Sequence, residues 1–173
     1  GFYIQTAKKY FEELLQVSLG ARIDASNYYD KTSNPLEQFS PRFSLRLKLN
    51  DAFALNFNSG IYYQLPPYTS LGFQVNDVLV NKNTLKYIRN SQLVGGLEFN
   101  GKDNLRFTAE AYYKRYSNYP FSLRNQISLA NIGGDFGVVG AEPLDARGKG
   151  KTYGVEFLVQ KRTINNFYGI AAY

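Results

Sequence analysis

Histidine, cysteine, methionine and tryptophan are all absent from the 173 residues of the chain. Without histidine or cysteine, most zinc, haem and iron–sulfur sites lose their usual ligands, and Ser/His/Asp triads and cysteine nucleophiles lose their central groups. Enzyme readings are left with few parts, and no catalytic residue, metal site or cofactor is expected. The missing cysteines say nothing about redox compartment, because a chain of this length can bury a core without disulfides. Also missing are a signal-peptide pattern in the opening GFYIQTAKKYF and any run of about 18 apolar residues, which excludes a transmembrane helix. If the chain meets a membrane core, it must do so as a barrel. A slightly negative mean hydropathy is compatible with that, since alternating polar residues dilute the hydrophobicity of barrel strands.

What the chain does have is tyrosine and phenylalanine, 15 and 13 residues, and a net charge of +6. The charge would suit nucleic acid or anionic headgroups equally well. Its lysines and arginines are scattered over many segments, and no RNA-recognition signature accompanies them, so a nucleic-acid partner is not expected.

Alternation with a period of two recurs along the whole length. In KTYGVEFLVQK, Tyr153, Val155, Phe157 and Val159 share one parity, opposed by Thr152, Gly154, Glu156 and Gln160. Such a pattern marks a strand with one apolar and one polar face. It returns over Leu15–Ile23, Phe43–Asn50, Phe53–Gly60, Leu93–Phe99 and Leu105–Lys114, and more weakly over 2–10 and 167–173. The expected architecture is all-β, an antiparallel up-and-down meander of about eight long strands forming part of a transmembrane β-barrel. Short polar links near Phe11–Glu13, Asp51–Ala52, Gly101–Asn104 and Thr163–Asn165 alternate with long ones at Asp24–Gln38, Leu65–Lys86 and Ser117–Gly148. In a meander this places every short turn at one end and every long loop at the other, the sorting found in outer-membrane barrels. Aromatic clusters at strand ends, YYQLPPY, YYKRY and NFYG, fit a headgroup boundary.

Several local motifs lead elsewhere. GKGKT ends like a phosphate-binding loop, but Asp145 stands where that loop needs glycine, and a strand follows it. DFG at Asp135–Gly137 has none of the other kinase motifs. Glu98, Glu110 and Glu156 lie on polar parities, so paired carboxylates for glycoside hydrolysis are conceivable. Their expected role is instead that of wet, lumen-facing charges balanced by Arg46, Lys48 and Arg106.

Three stretches carry a family resemblance. NPLEQFSPRFSLRLKLNDAFALNFNSGIYYQLPPYTSLG (34–72), KYIRNSQLVGGLEFNGKDNLRFTAEAYYKRYSNYP (86–120) and GKGKTYGVEFLVQKRTINNFYGIAAY (148–173) resemble consecutive hairpins of TonB-dependent outer-membrane receptors of the Bacteroidetes type. The resemblance implies a 22-stranded barrel closed by an N-terminal plug, importing a metal chelate, vitamin, glycan or peptide with energy from the TonB complex. It leaves open a surface lipoprotein as a further partner, beside the outer-membrane lipid. Neither a plug nor an energy-coupling box is present in the sequence, so residues 1–173 are expected to be the later part of such a barrel. The alternative is a complete eight-stranded barrel with a structural or adhesive role, which requires its first and last strands to pair.

On the leading reading, candidate ligand contacts are the loop-side residues Tyr63, Tyr68, Phe73, Asn76, Tyr116, Tyr119, Phe121 and Arg124, because aromatic rings offer large contact area at low entropic cost. Alternation alone does not tell inside from outside, and a soluble β module would hide the same apolar parity. Partition separates the two: Leu45, Leu47, Phe57 and Phe107 facing lipid drive the protein into micelles, whereas a soluble domain stays in water without detergent.

Overall fold

The computed structural model describes residues 1–102, 104–132, 140–164 and 167–173. Strands β1 (Phe2–Tyr10) and β2 (Leu15–Ile23) are followed by a helical turn α1 (Asp30–Ser33) and a 3-10 turn (Pro35–Gln38). Next come β3 (Ser40–Lys48), β4 (Phe53–Gln64), a second helical turn α2 (Tyr68–Leu71), and a small hairpin of β5 (Gln74–Val75) and β6 (Val78–Leu79). The long strands β7 (Ile88–Asn100) and β8 (Leu105–Ser122) precede a short β9 (Ile127–Ser128) and a 3-10 turn (Leu129–Asn131), and β10 (Leu144–Ile164) and β11 (Phe167–Ala172) complete the chain. Among the described residues no helix is long and apolar enough to cross a membrane.

The main sheet has the order β1-β2-β3-β4-β7-β8-β10-β11, with β9 added beside β8 and β5-β6 standing apart. Each long strand is antiparallel to the long strand that follows it, so the sheet is the expected meander. Among the described residues β1 and β11 do not pair with each other, and the sheet is open. A closed eight-stranded barrel would need that pairing.

Register carries the alternation from strand to strand. Leu15, Leu47, Leu55, Leu97, Ala109 and Phe157 fall in one continuous row, as Val17, Leu45, Phe57, Gly95, Ala111 and Val155 do in the next, with Leu47 opposite Leu15 and Leu45 opposite Val17. Phe53 and Phe99 add a ring contact with centroids 4.9 Å apart. The opposite face carries Lys9, Gln16, Arg46, Asn56, Gly96, Glu110 and Glu156 in a single row. Exposure decides which face looks outward. Val155 is 60% and Leu93 50% exposed, whereas Glu98 is 4% and Ala54 2%. A soluble barrel would show the reverse; apolar side chains on the open side and polar ones on the sheltered side are what a membrane barrel requires.

The turns close by local chemistry. Asn50 Oδ1 accepts from the backbone N–H groups of Ala52 (2.9 Å) and Phe53 (2.8 Å), pinning the β3–β4 link as an Asx turn. Asn76 and Asp77, with φ of 49° and 60°, make the two-residue turn of the β5–β6 hairpin. The turn near Phe11 is less ordinary: Phe11, Glu12 and Glu13 all have positive φ without a glycine among them. An ion pair from Lys9 Nζ to Glu13 Oε1 (2.7 Å) spans it. The expected turn at Thr163–Asn165 lies partly outside the described residues, and the DFG stretch lies wholly outside them.

The largest departure from expectation is at the other end. The expected loop Ser117–Gly148 is shorter, because β8 continues to Ser122 and β10 begins at Leu144. Asn118, at φ 56°, and register shifts at Gly148 let both strands bulge and stay paired, which breaks the simple alternation without ending the strand. Gly148 is needed there, since a Cβ would sit 2.4 Å from the Tyr119 carbonyl oxygen.

The remaining long loops are packed. Tyr29, Leu71, Leu85 and Leu144 form a buried apolar cluster flanked by Tyr28, Leu65 and Leu129. Fully buried Asn81 holds it together: its amide donates to the carbonyls of Ser70 and Glu142 (both 2.8 Å) and accepts from the N–H of Leu144 (2.8 Å). Tyr29 Oη donates to the Leu85 carbonyl, and burial pushes its pKa up to about 12.

Two expectations follow. Leu93→Arg, at the middle of β7 on the apolar face, should cost about 2–4 kcal/mol in denaturant-titrated folding into vesicles, while Asn58→Arg on the polar face should stay within about 0.5 kcal/mol. Asn81→Ala strands the buried Ser70 carbonyl and Leu144 N–H at about 1–3 kcal/mol each and frees the half-buried Glu142 carbonyl, so trypsin should cut markedly faster at Lys82, Lys86 and Arg124 while the strands stay protected.

Candidate functional site

The polar face divides into two zones. Near the short turns, Glu98 on β7 is the centre of a charged cluster. Arg46 on β3 grips it with two hydrogen bonds, Nη2 to Oε1 at 2.7 Å and Nη1 to Oε2 at 3.0 Å. Arg106 Nη2 reaches Oε2 at 2.9 Å and Asn100 Nδ2 reaches Oε1 at 2.9 Å. Arg46 also donates to Asn56 Oδ1 at 3.3 Å. Small Ala54 separates Glu98 from Lys48 in register, which lets the arginine fork from β3 extend across β4 to the carboxylate. The fork geometry explains why arginine, not lysine, does this. A hollow of about 300 Å³ lies over the cluster, bordered by Gln16, Asn58 and Glu110.

The sequence-derived set of lumen charges is therefore only partly assembled. Arg46, Glu98 and Arg106 come together as expected. Lys48 does not join them: its Nζ pairs with Asp51 Oδ1 at 2.8 Å in the adjacent turn, where both groups are well exposed. Glu110 and Glu156 lie directly opposite each other across β8 and β10, and among the described residues neither has an ion pair. They require solvent on that face, because facing carboxylates repel.

Toward the long loops the same face changes character. Arg42 lies over the Tyr62 ring and Lys114 over the Tyr112 ring, each 4.6 Å from the centroid. Asn90 and Gln92 share this zone, linked by a 3.3 Å hydrogen bond, and Tyr116 is registered opposite Asn90. Gly60 and Gly154 lie under the rings of Tyr62 and Tyr112, and a Cβ on either would come 2.9 Å from its ring or hydroxyl. Rings, amides and cations arranged on a rigid sheet suit non-covalent recognition of a polar ligand. None of Arg42, Tyr62, Asn90, Gln92, Tyr112 and Lys114 is a site residue expected from the sequence, although Tyr62, Tyr112 and Lys114 fall in its aromatic clusters. Following each strand's parity out to its full length would have found them.

The candidate ligand contacts are distributed as follows. Tyr63 is in β4 and shares parity with outward Ile61, while Tyr116, Tyr119 and Phe121 are in β8; these four are on strands rather than loops because the strands run past the point where the alternation weakens. Tyr116 and Tyr119 meet edge to face at 6.3 Å, and Arg147 lies 5.0 Å over the Phe121 ring. Tyr68 is on α2 and 76% exposed, Phe73 precedes β5, Asn76 is at the β5–β6 turn, and Arg124 is exposed between β8 and β9. No group of three or more acidic residues that could hold a metal occurs among the described residues.

A meander of strands long enough to cross a bilayer, with an apolar open face and a charged sheltered one, is the wall of an outer-membrane β-barrel. The chain belongs to the family described as TonB dependent receptor-like, beta-barrel, whose model it matches over residues 1–173. No curated protein matches it.

Removing the carboxylate at the centre of the charged cluster tests its weight. Glu98→Ala should destabilise the barrel by about 1.5–3 kcal/mol through lost charge-assisted hydrogen bonds. Adding Arg46→Ala should cost less than the sum of the two single changes, since each removes the same contact.

Proposed function

We propose that the chain forms part of the barrel domain of an outer-membrane active-transport receptor of the Bacteroidetes type, in the later part of the barrel. The receptor binds a scarce nutrient and imports it with energy from the TonB complex; it is a transporter, not an enzyme. The family match over residues 1–173 supports this reading. The observation that carries it is the zone of Arg42, Tyr62, Asn90, Gln92, Tyr112, Lys114 and Tyr116 on the polar face next to the long loops. The alternative, a complete eight-stranded barrel, would need β1 and β11 to pair, and among the described residues they do not. Loop-side Tyr68, Phe73, Asn76 and Arg124, together with Tyr119 and Phe121, are the outer contacts in this proposal; Tyr63, on the outward parity, is not one of them.

A growth and uptake panel of metal chelates, vitamins, glycans and peptides, run with and without the gene, tests it. One ligand class should lose uptake in the deletion strain, and dissipating the proton gradient should abolish the same uptake. Lys114→Ala combined with Tyr116→Ala should lower apparent affinity about tenfold or more, the loss expected for a contact pair worth about 1.4 kcal/mol. Unchanged uptake of every class in the deletion strain, or flux that survives loss of the gradient, would overturn the proposal.

A further inference from the structure

The apolar face carries charge of one sign only. Along the registered strands its parity includes Lys8, Arg89, Arg115, Lys151 and Lys161, and no carboxylate, whereas the polar parity holds Glu98, Glu110 and Glu156. These cations are not spread evenly. Lys8 and Lys161 lie toward the short turns, and Arg89, Arg115 and Lys151 toward the long loops, with the leucine, valine and phenylalanine rows between.

At the long-loop margin the arrangement is specific. Tyr113 and Tyr153 are direct cross-strand partners, and two residues further on Arg115 and Lys151 are direct partners as well. Both cations are exposed, and among the described residues neither has a carboxylate partner. Like charges placed opposite each other destabilise a sheet unless something neutralises them. Arg115 also borders an apolar groove of about 540 Å³, walled by Leu19, Phe43, Ile61, Leu93 and Tyr113. The groove exists because Ser59 and Ser91, both small, stand in the outward rows between these larger side chains.

We propose that this groove and its cation pair form a site for an anionic, phosphate-bearing lipid of the leaflet on the long-loop side. One acyl chain lies in the groove between Phe43 and Tyr113, the tyrosine pair marks the headgroup boundary, and the phosphate sits on Arg115 and Lys151 with Arg89 close by. Charge complementarity selects this occupant. A second copy of the chain would bring the same cations against themselves, and a neutral or zwitterionic lipid would leave the pair uncompensated. The site neutralises a repulsion that the strand register imposes, and it does so outside the barrel, away from any transported ligand.

Lipid titration by native mass spectrometry of the full-length protein in dodecyl maltoside tests this, with phosphatidylglycerol, lipid A and phosphatidylcholine as probes. Retention of the two anionic lipids over phosphatidylcholine is expected, and Arg115→Ala with Lys151→Ala should weaken it about 10- to 30-fold, the loss of two interfacial cations. Lys8→Ala with Lys161→Ala, at the opposite margin, should leave it unchanged. Ser91→Phe, which fills the groove, should weaken lipid retention while leaving far-ultraviolet circular dichroism intact. Equal retention of phosphatidylcholine, equal losses from both double variants, full competition by inorganic phosphate, or a dimer displaced by lipid would each overturn the assignment.

Discussion

Cross-strand register is the constraint on which the rest of the structure depends. Every long strand repeats a two-residue period, and each pairing aligns apolar positions with apolar positions: Val17 with Leu45, Leu45 with Phe57, Leu97 with Ala109, Ala109 with Phe157. A slip of one residue in any pair would send the whole strand's side chains to the wrong face. In a soluble sheet that error is resisted by a dry core. Here the apolar parity is the exposed one, so the restoring force comes from the lipid on one side and from charge on the other.

The Glu98 cluster shows how the polar side contributes. Its carboxylate is almost wholly buried yet receives two arginines and an asparagine, from β3, β8 and β7 itself. Desolvation of such a group cancels much of its attraction, so the cluster is weak evidence for net stability. What it does supply is discrimination between registers, because a shift of β3 or β8 would strip a buried carboxylate of one of its two arginines, at a cost well above that of an average contact. Glu110 and Glu156, opposed and without an ion pair among the described residues, need water where Glu98 needs arginine. The same face therefore passes from a closed charge network to open, solvated groups within one strand spacing.

How much of this was legible in the sequence follows from what each signal measures. β1 and β2 have the bounds expected from alternation and turn residues, 2–10 and Leu15–Ile23, because local chemistry alone determines them. Alternation alone ends β8 and begins β10 short of their full extents, Leu105–Ser122 and Leu144–Ile164. Their outer parts pass through bulges at Asn118 and Gly148, where the period breaks while the backbone pairing persists. The loops looked like loops because their apolar residues follow no period; Leu71, Leu85 and Leu144 are brought together by the hydrogen bonds of Asn81, a contact between segments more than 60 residues apart in the case of Leu144. The orientation of the two faces was not in the alternation at all. It came from exposure, which requires the curvature of the assembled sheet.

The length of β8 ties these features to recognition. Its 18 residues exceed the roughly 9–11 that a tilted strand needs to cross a bilayer. The surplus is at the long-loop end, where it carries Tyr116, Tyr119 and Phe121 and pairs with both β9 and β10. Ser122, at its end, is buried, registered opposite Leu144, and through Leu144 is joined to the apolar loop cluster. Aromatic side chains placed on a paired strand lose less entropy on binding a ligand than the same side chains on a free loop. The strand extension and the packed loops thus act together: one sets the positions of the rings, the other keeps the strand ends from fraying. The recognition surface proposed for this protein is an extension of the sheet, and the register that separates lipid from solvent also aims its residues.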